Sequence, residues 1–89
     1  MARIKIGQDV FRALADPTRR QILVILRDGE LPAHKIAEHF QLALPSLSEH
    51  LRKLVTAGLI KRQRTGREQR YRLQSKAFEE VSIWIKGFE

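Results

Sequence analysis

The chain has no cysteine among its 89 residues. That excludes disulfides and thiolate metal sites and suits a reducing, cytoplasmic setting. Long apolar runs are also missing. None approaches the roughly 18 residues that a membrane-spanning helix needs, so no membrane insertion is expected. The opening MARIKIGQDV has two basic residues with no apolar stretch behind them, so it does not read as a secretory signal. Repeats and low-complexity segments are lacking. No Ser–His–Asp set, phosphate loop or carboxylate cluster is present, so neither catalytic residues, an enzyme nor a cofactor is expected. Acidic residues are in the minority, 10 against 17 Lys and Arg.

An apolar content of 43% is too high for a disordered chain. The length allows one domain over residues 1–89, small enough that a second copy would add core the monomer lacks. The net charge of +7 is uneven. Residues 1–58 hold nine Lys/Arg and six Asp/Glu, a net +3. Residues 59–73 hold six against one, a net +5, and residues 74–89 two against three, a net −1. Positive charge concentrated in 15 residues is the footprint of a polyanion binder. An acidic membrane surface fits less well, because this stretch lacks the apolar face of an interfacial helix.

Local signals divide the chain into five helices and one hairpin. Residues 1–8 read as a loose arm. Asp9 can cap a short helix over Val10–Ala15. Asp16-Pro17 restarts the chain with a strong N-cap and a proline suited to a first turn, opening a helix through TRRQILVILRD that Gly29 ends in a left-handed conformation. Ile22, Leu23, Ile25 and Leu26 give it a core face. A third, short helix is expected over Pro32–Phe40, with Ile36, Ala37 and Phe40 inward. The turn Gln41–Leu44 follows, with Leu42 plugging the corner. The fourth helix runs from Pro45 to Ala57 with Leu47, Leu51, Leu54 and Val55 inward, and Gly58 ends it.

Leu59–Arg64 and Gln69–Leu73 form two strands joined through Thr65-Gly66-Arg67-Glu68, a two-stranded wing with Tyr71 and Leu73 on one side and Arg70 and Arg72 on the other. Ser75 can cap the last helix, Lys76 to Phe88. Its stripe of Phe78, Val81, Trp84, Ile85 and Phe88 is more than one small core can absorb. A second copy is the economical cover, through residues 9–15 and 75–89, with Val10, Phe11 and Leu14 joining the stripe. The fold class is therefore mainly α with a small β-hairpin, a homodimeric winged helix-turn-helix. A short helix followed by one rich in Ser, Glu, His and Arg is a way to hold the second in a DNA major groove.

The segments FRALADPTRRQILVIL, IAEHF, SLSEHLRKLVTAGLI and RTGREQRYRL resemble the ArsR-type winged-helix repressors of prokaryotes, from about Val10 to Phe88. The ending YRLQSKAFEEVSIWIKGF resembles a metal-independent, autorepressor-like subgroup. The resemblance implies a homodimer through the first and last helices, a recognition helix over Pro45–Ala57, and repression by binding double-stranded operator DNA. It also marks departures. The third helix has no cysteine and residues 75–89 no histidine, so the sensing positions of metal-responsive members are empty of ligands. Ala43 and Pro32 stand where small polar caps are usual, an omission worth about 1 kcal/mol each.

On the recognition helix, Ser46 and Ser48 can contact bases or phosphates, and Glu49 can accept from cytosine or pair with Arg52 or Lys53. His50 can reach DNA or pack at a groove margin, Arg52 can read guanine or hold phosphate, and Lys53 suits phosphate. In the wing, Arg62, Arg64, Arg67 and Arg70 suit phosphates, with Arg67 nearest the tip and suited to a narrow minor groove. Thr18, Arg19 and Arg20 open the second helix, where they can pair locally or touch a DNA backbone. His34, Glu38 and His39 leave open a metal-responsive repressor with a non-standard site. A winged helix used only for protein–protein contact is the other alternative, which the charged hairpin disfavours. The inducing signal stays open between an antirepressor protein, a small-molecule effector and concentration alone.

Overall fold

The computed structural model describes residues 8–89, so the expected N-terminal arm lies almost wholly outside them. Its elements run α1 (Gln8–Leu14), α2 (Pro17–Ile25), a 3-10 turn (Leu26–Asp28), β1 (Leu31–Pro32), α3 (Ala33–Ala37), α4 (Leu44–Thr56), β2 (Ile60–Thr65), β3 (Glu68–Leu73) and α5 (Ser75–Lys86). Ile22, Leu26, Ile36, Leu54, Leu59 and Ile60 are its most deeply buried large side chains. They come from α2 and the 3-10 turn after it, α3, α4 and the chain entering β2, so one core sits where the helices meet the wing.

The α1–α2 corner is held by its own side chains. The Asp16 carboxylate accepts from the Arg19 amide at 3.0 Å, capping α2 as its sequence leads one to expect. The Arg19 guanidinium reaches back to the carbonyls of Ala13 (2.9 Å) and Arg12 (2.8 Å), and Arg20 to that of Leu14 (2.7 Å). These carbonyls lie in the last turn of α1, where that of Arg12 also accepts from the Ala15 amide. Both arginines therefore take the local pairing open to them and hold the corner.

Several boundaries differ from expectation. Gly29 adopts φ 134° and ψ 178°, an extended mirror-image conformation rather than a left-handed helical one. The chain then leaves as a strand, so Leu31 pairs with Tyr71 and Pro32 with Arg70. The wing is consequently three-stranded, in the order β1-β3-β2. Two residues are too few for an alternating pattern, and a proline is tolerated because β1 is an edge strand. Pro32 thus precedes α3 instead of opening it. Beyond Ala37, His39 and Phe40 donate to Ile36 and Ala37, and these tighter bonds end the helix short of Phe40. Leu42 is exposed and plugs no corner. Asp9 lies inside α1, and α5 begins at Ser75 behind Gln74 without a side-chain cap.

Helix α4 ends through two bonds, Gly58 N–H to Val55 and Leu59 N–H to Leu54, and buries Leu59 with Leu54. That closure starts β2. At the wing tip, Gly66 takes φ 62° while Arg67 stays at negative φ, the pattern of a two-residue hairpin with glycine first. No described helix is long and apolar enough to cross a membrane.

Helix α5 lays only Ala77, Phe78 and Val81 on the core. Ile83, Trp84, Ile85 and Phe88 are exposed, Trp84 by 43% and Phe88 by 76%. Phe11 of α1 joins them, edge-on to Trp84 at 5.1 Å, and Trp84 meets Phe88 edge-on at 5.0 Å. Val10, expected on this surface, is instead 5% exposed within the core of its own chain. On a helix, residue 10 turns away from residue 11 by about 100°.

Candidate nucleic-acid interface

The wing tip lies beside the start of α4. Leu44 in the first turn of α4 and Arg67 at the tip line one hollow of about 330 Å³ with Pro32, Ala33, His34 and Glu68. The helix-turn-helix and the basic hairpin therefore present a continuous surface.

Helix α4 buries Leu47, Leu51 and Leu54, which turns Ser46, Ser48, Glu49, Arg52 and Lys53 to the exposed side. Ala43 occupies the N-cap with no side-chain bond, so nothing from the cap engages the first amides of α4. Leu44 is 66% exposed there, an apolar side chain at the helix tip that charge-seeking reasoning overlooked. In the sequence Leu44 continues the inward spacing of Leu47, Leu51 and Leu54, so no local signal marks it as exposed.

Arg52 donates twice to Glu49, at 2.6 and 3.1 Å. The bond from Arg52 holds the Glu49 carboxyl below the usual range, and Glu49 in turn raises Arg52. Of the two roles open to Glu49, the intrahelical pair is the one formed without DNA.

His50 is half-buried and turned to the α1–α2 corner. Its Nδ1 lies 3.4 Å from the Arg19 guanidinium and 3.7 Å from the Asp16 carboxylate. As an acceptor, Nδ1 takes a hydrogen bond from the Arg19 guanidinium. The Asp16–Arg19–His50 cluster joins the recognition helix to the N-terminus of α2. It joins residues 31 or more apart in sequence, so local spacing could not reveal it. The Arg19 amide bond chiefly holds Asp16 below the usual carboxylate range.

In the wing, Arg62 pairs with Tyr71 and Arg64 with Gln69, on the face that Ile60 and Leu73 turn inward. Lys61, Arg70 and Arg72 occupy the opposite face. Arg64 also donates to the Gly66 carbonyl at 3.2 Å, stiffening the tip. The structure separates Arg70 from the other expected wing arginines. Arg70 donates to Glu30 at 2.9 Å and Glu68 at 3.3 Å, ties the β1 approach to the wing, and has its own pKa raised chiefly by Glu30. Lys61, Arg62, Arg67 and Arg72 have no side-chain hydrogen bond or ion pair among the described residues.

The alternative metal ligands do not converge. His34 lies 3.8 Å from Glu68 of the wing, and Glu38 pairs with Lys35 at 3.5 Å. Among the described residues, no group of three or more His, Asp or Glu could hold a metal ion.

The helix pair, the wing beside it and the exposed polar face of α4 define a winged helix-turn-helix of the DNA-binding kind. The family model for bacterial regulatory proteins of the arsR family matches residues 16–62. The transcriptional repressor SdpR of Bacillus subtilis is 40% identical over 80 residues, covering 90% of this chain and 89% of SdpR. A crystal structure of an ArsR family transcriptional regulator, RHA00566, superposes with a TM-score of 0.85 at 34% identity, over 90% of this chain and 82% of that one. A homodimeric winged helix-turn-helix DNA-binding domain of Mycobacterium bovis, solved by NMR, superposes with a TM-score of 0.74 at 31% identity, over 92% of this chain and 78% of that one. Other curated relatives are longer, and the chain spans about half to two thirds of their length. The chain belongs to the arsR family of bacterial regulatory proteins.

Proposed function

We propose that the chain is a homodimeric transcriptional repressor that binds an inverted-repeat operator, with α4 in the major groove and the wing on the adjoining backbone. The observation that carries this reading is the shared hollow of Leu44 and Arg67, which sets the exposed end of α4 and the cationic tip side by side. The regulatory family and the repressor SdpR, similar along nearly its whole length, support it.

In this reading Ser46 and Ser48 meet base edges or phosphates. Leu44 supplies an apolar contact of the kind a thymine methyl accepts. Arg52 exchanges Glu49 for guanine or phosphate, and Lys53 holds phosphate. His50 positions α4 through Arg19 and Asp16. Arg62, Arg64 and Arg67 follow the backbone or enter the minor groove, and Arg70 holds the wing in shape. Three or four neutralised phosphates per protomer give a salt slope of roughly −5 to −7.

Dimerisation rests on Phe11, Ile83, Trp84, Ile85 and Phe88, which stay exposed in the single chain, with Leu14, Phe78 and Val81 behind them. The homodimeric relative of similar fold supports that arrangement. A mobility-shift titration with the chain's own upstream DNA tests the proposal. Saturable binding that survives excess random duplex is expected; equal affinity for both DNAs would overturn sequence-specific repression.

A further inference from the structure

We propose that the hollow between α1, the start of α2 and α4 is a binding site for a phosphoryl group. It measures about 300 Å³, and its walls carry Arg12, Arg19, Arg52 and Lys53 with the Asp9 carboxylate, while Glu49 already pairs with Arg52 from outside. Ala13 and the Thr56 side chain complete it. With Arg52 paired to Glu49, the charges of Arg12, Arg19 and Lys53 outweigh Asp9, and such a concave surface focuses a positive potential that a multiply charged anion relieves. The volume is at the small end of ligand pockets and suits a phosphate or pyrophosphate group better than a drug-sized apolar molecule.

The site is built rather than incidental. Arg19 is fixed by its bonds to the Ala13 and Arg12 carbonyls, so its charge stands at the wall. Arg52 is held bidentately by Glu49. Arg12 and Lys53 have no side-chain hydrogen bond or ion pair among the described residues, which leaves their donors for a ligand. Thr56 adds a hydroxyl. Asp9, Arg12 and Ala13 recur at i, i+3 and i+4 on one side of α1. Phe11, which meets Trp84, lies off that side, so the pocket is separate from the apolar surface.

A phosphoryl group could come from the operator backbone or from a free phosphorylated molecule. The first source rests on the DNA-binding reading above; the second does not. An occupant competes with Glu49 for Arg52 and engages Lys53, so a free phosphoryl ligand would draw on two side chains that α4 offers to DNA.

The test pairs two measurements on the full chain. Pyrophosphate is titrated calorimetrically at constant ionic strength, with chloride as the control anion. Operator affinity is then measured against salt. Both use the natural chain, Arg12→Gln and Arg12→Lys, each checked for an unchanged circular dichroism spectrum. Saturable pyrophosphate binding, one per protomer, weakened about tenfold by Arg12→Gln and restored by Arg12→Lys, establishes a site for a free ligand. No pyrophosphate binding, but a salt slope about two shallower in Arg12→Gln and restored in Arg12→Lys, establishes the operator phosphate as occupant. Pyrophosphate uptake equal in all three proteins, or no change in either measurement, overturns the site. Failure of operator binding with retained pyrophosphate binding would sink the repressor reading and leave the pocket standing.

Discussion

Replacing Trp84 with alanine should split the dimer. Trp84 sits between Phe11 and Phe88 on the outer side of α5, with 43% of its surface exposed in the single chain. A large aromatic side chain presents about 250 Å², so roughly 100 Å² of Trp84 remains for a partner to cover. At about 25 cal/mol per Å² that burial contributes about 2.5 kcal/mol. A two-fold interface uses the residue twice, giving about 5 kcal/mol, or between three and four orders of magnitude in the dissociation constant. Complete burial makes this an upper figure. Sedimentation equilibrium across nanomolar to hundred-micromolar concentrations reads the change. Because Trp84 is the only tryptophan, its emission should also shift to the red as the natural protein is diluted into monomers. The deeply buried core, built on Ile22, Leu26, Ile36 and Leu54, does not include Trp84, so the variant should keep its helical spectrum. A folded Trp84→Ala protein with an unchanged dissociation constant would refute the assignment of this surface.

Arg67→Ala should weaken binding to all DNA sequences and flatten the salt slope by about two per dimer, read from affinities across a salt series. Leu44→Ala should leave non-specific affinity unchanged and cost about 1 kcal/mol on an operator with thymine at the matched position, read by competition between operators differing there. Asp16→Ala should cost about 1 kcal/mol at neutral pH, a loss of several degrees in melting temperature at fixed protein concentration. Asp16 also sets a pH dependence. Its folded pKa is below its ordinary value, so the stability it contributes is present above the unfolded pKa and is lost as pH falls through the folded one. Asp16→Asn should keep most of the cap while removing that acid-side loss, read from melting temperatures between pH 2 and pH 7.

Much of this architecture could be read from local patterns. Asp16-Pro17, Gly58 and the leucine spacing of α4 are signals that act within a few residues, and each sits where it was expected. The exceptions depend on tertiary pairing. β1 exists because β3 offers an edge to Leu31 and Pro32, and no two-residue pattern announces that. Arg70 looked like another wing cation until Glu30, 40 residues away, came alongside it. His50 looked like a groove residue until Arg19 and Asp16 met it from the α1–α2 corner. Charge counting located the basic hairpin but could not separate cations engaged within the fold from those offered to a partner. Leu44 escaped notice because it continues the inward leucine spacing of α4 and only the end of the helix leaves it exposed.

Hydroxyl-radical footprinting of the chain on its own upstream DNA tests the central claim most directly. Two protected half-sites on one face of the duplex, related by inverted symmetry and about one helical turn apart, are predicted, with added minor-groove protection lost in Arg67→Ala. A single protected half-site, or uniform protection that follows no repeat, would contradict a dimer that places two copies of α4 in successive major grooves.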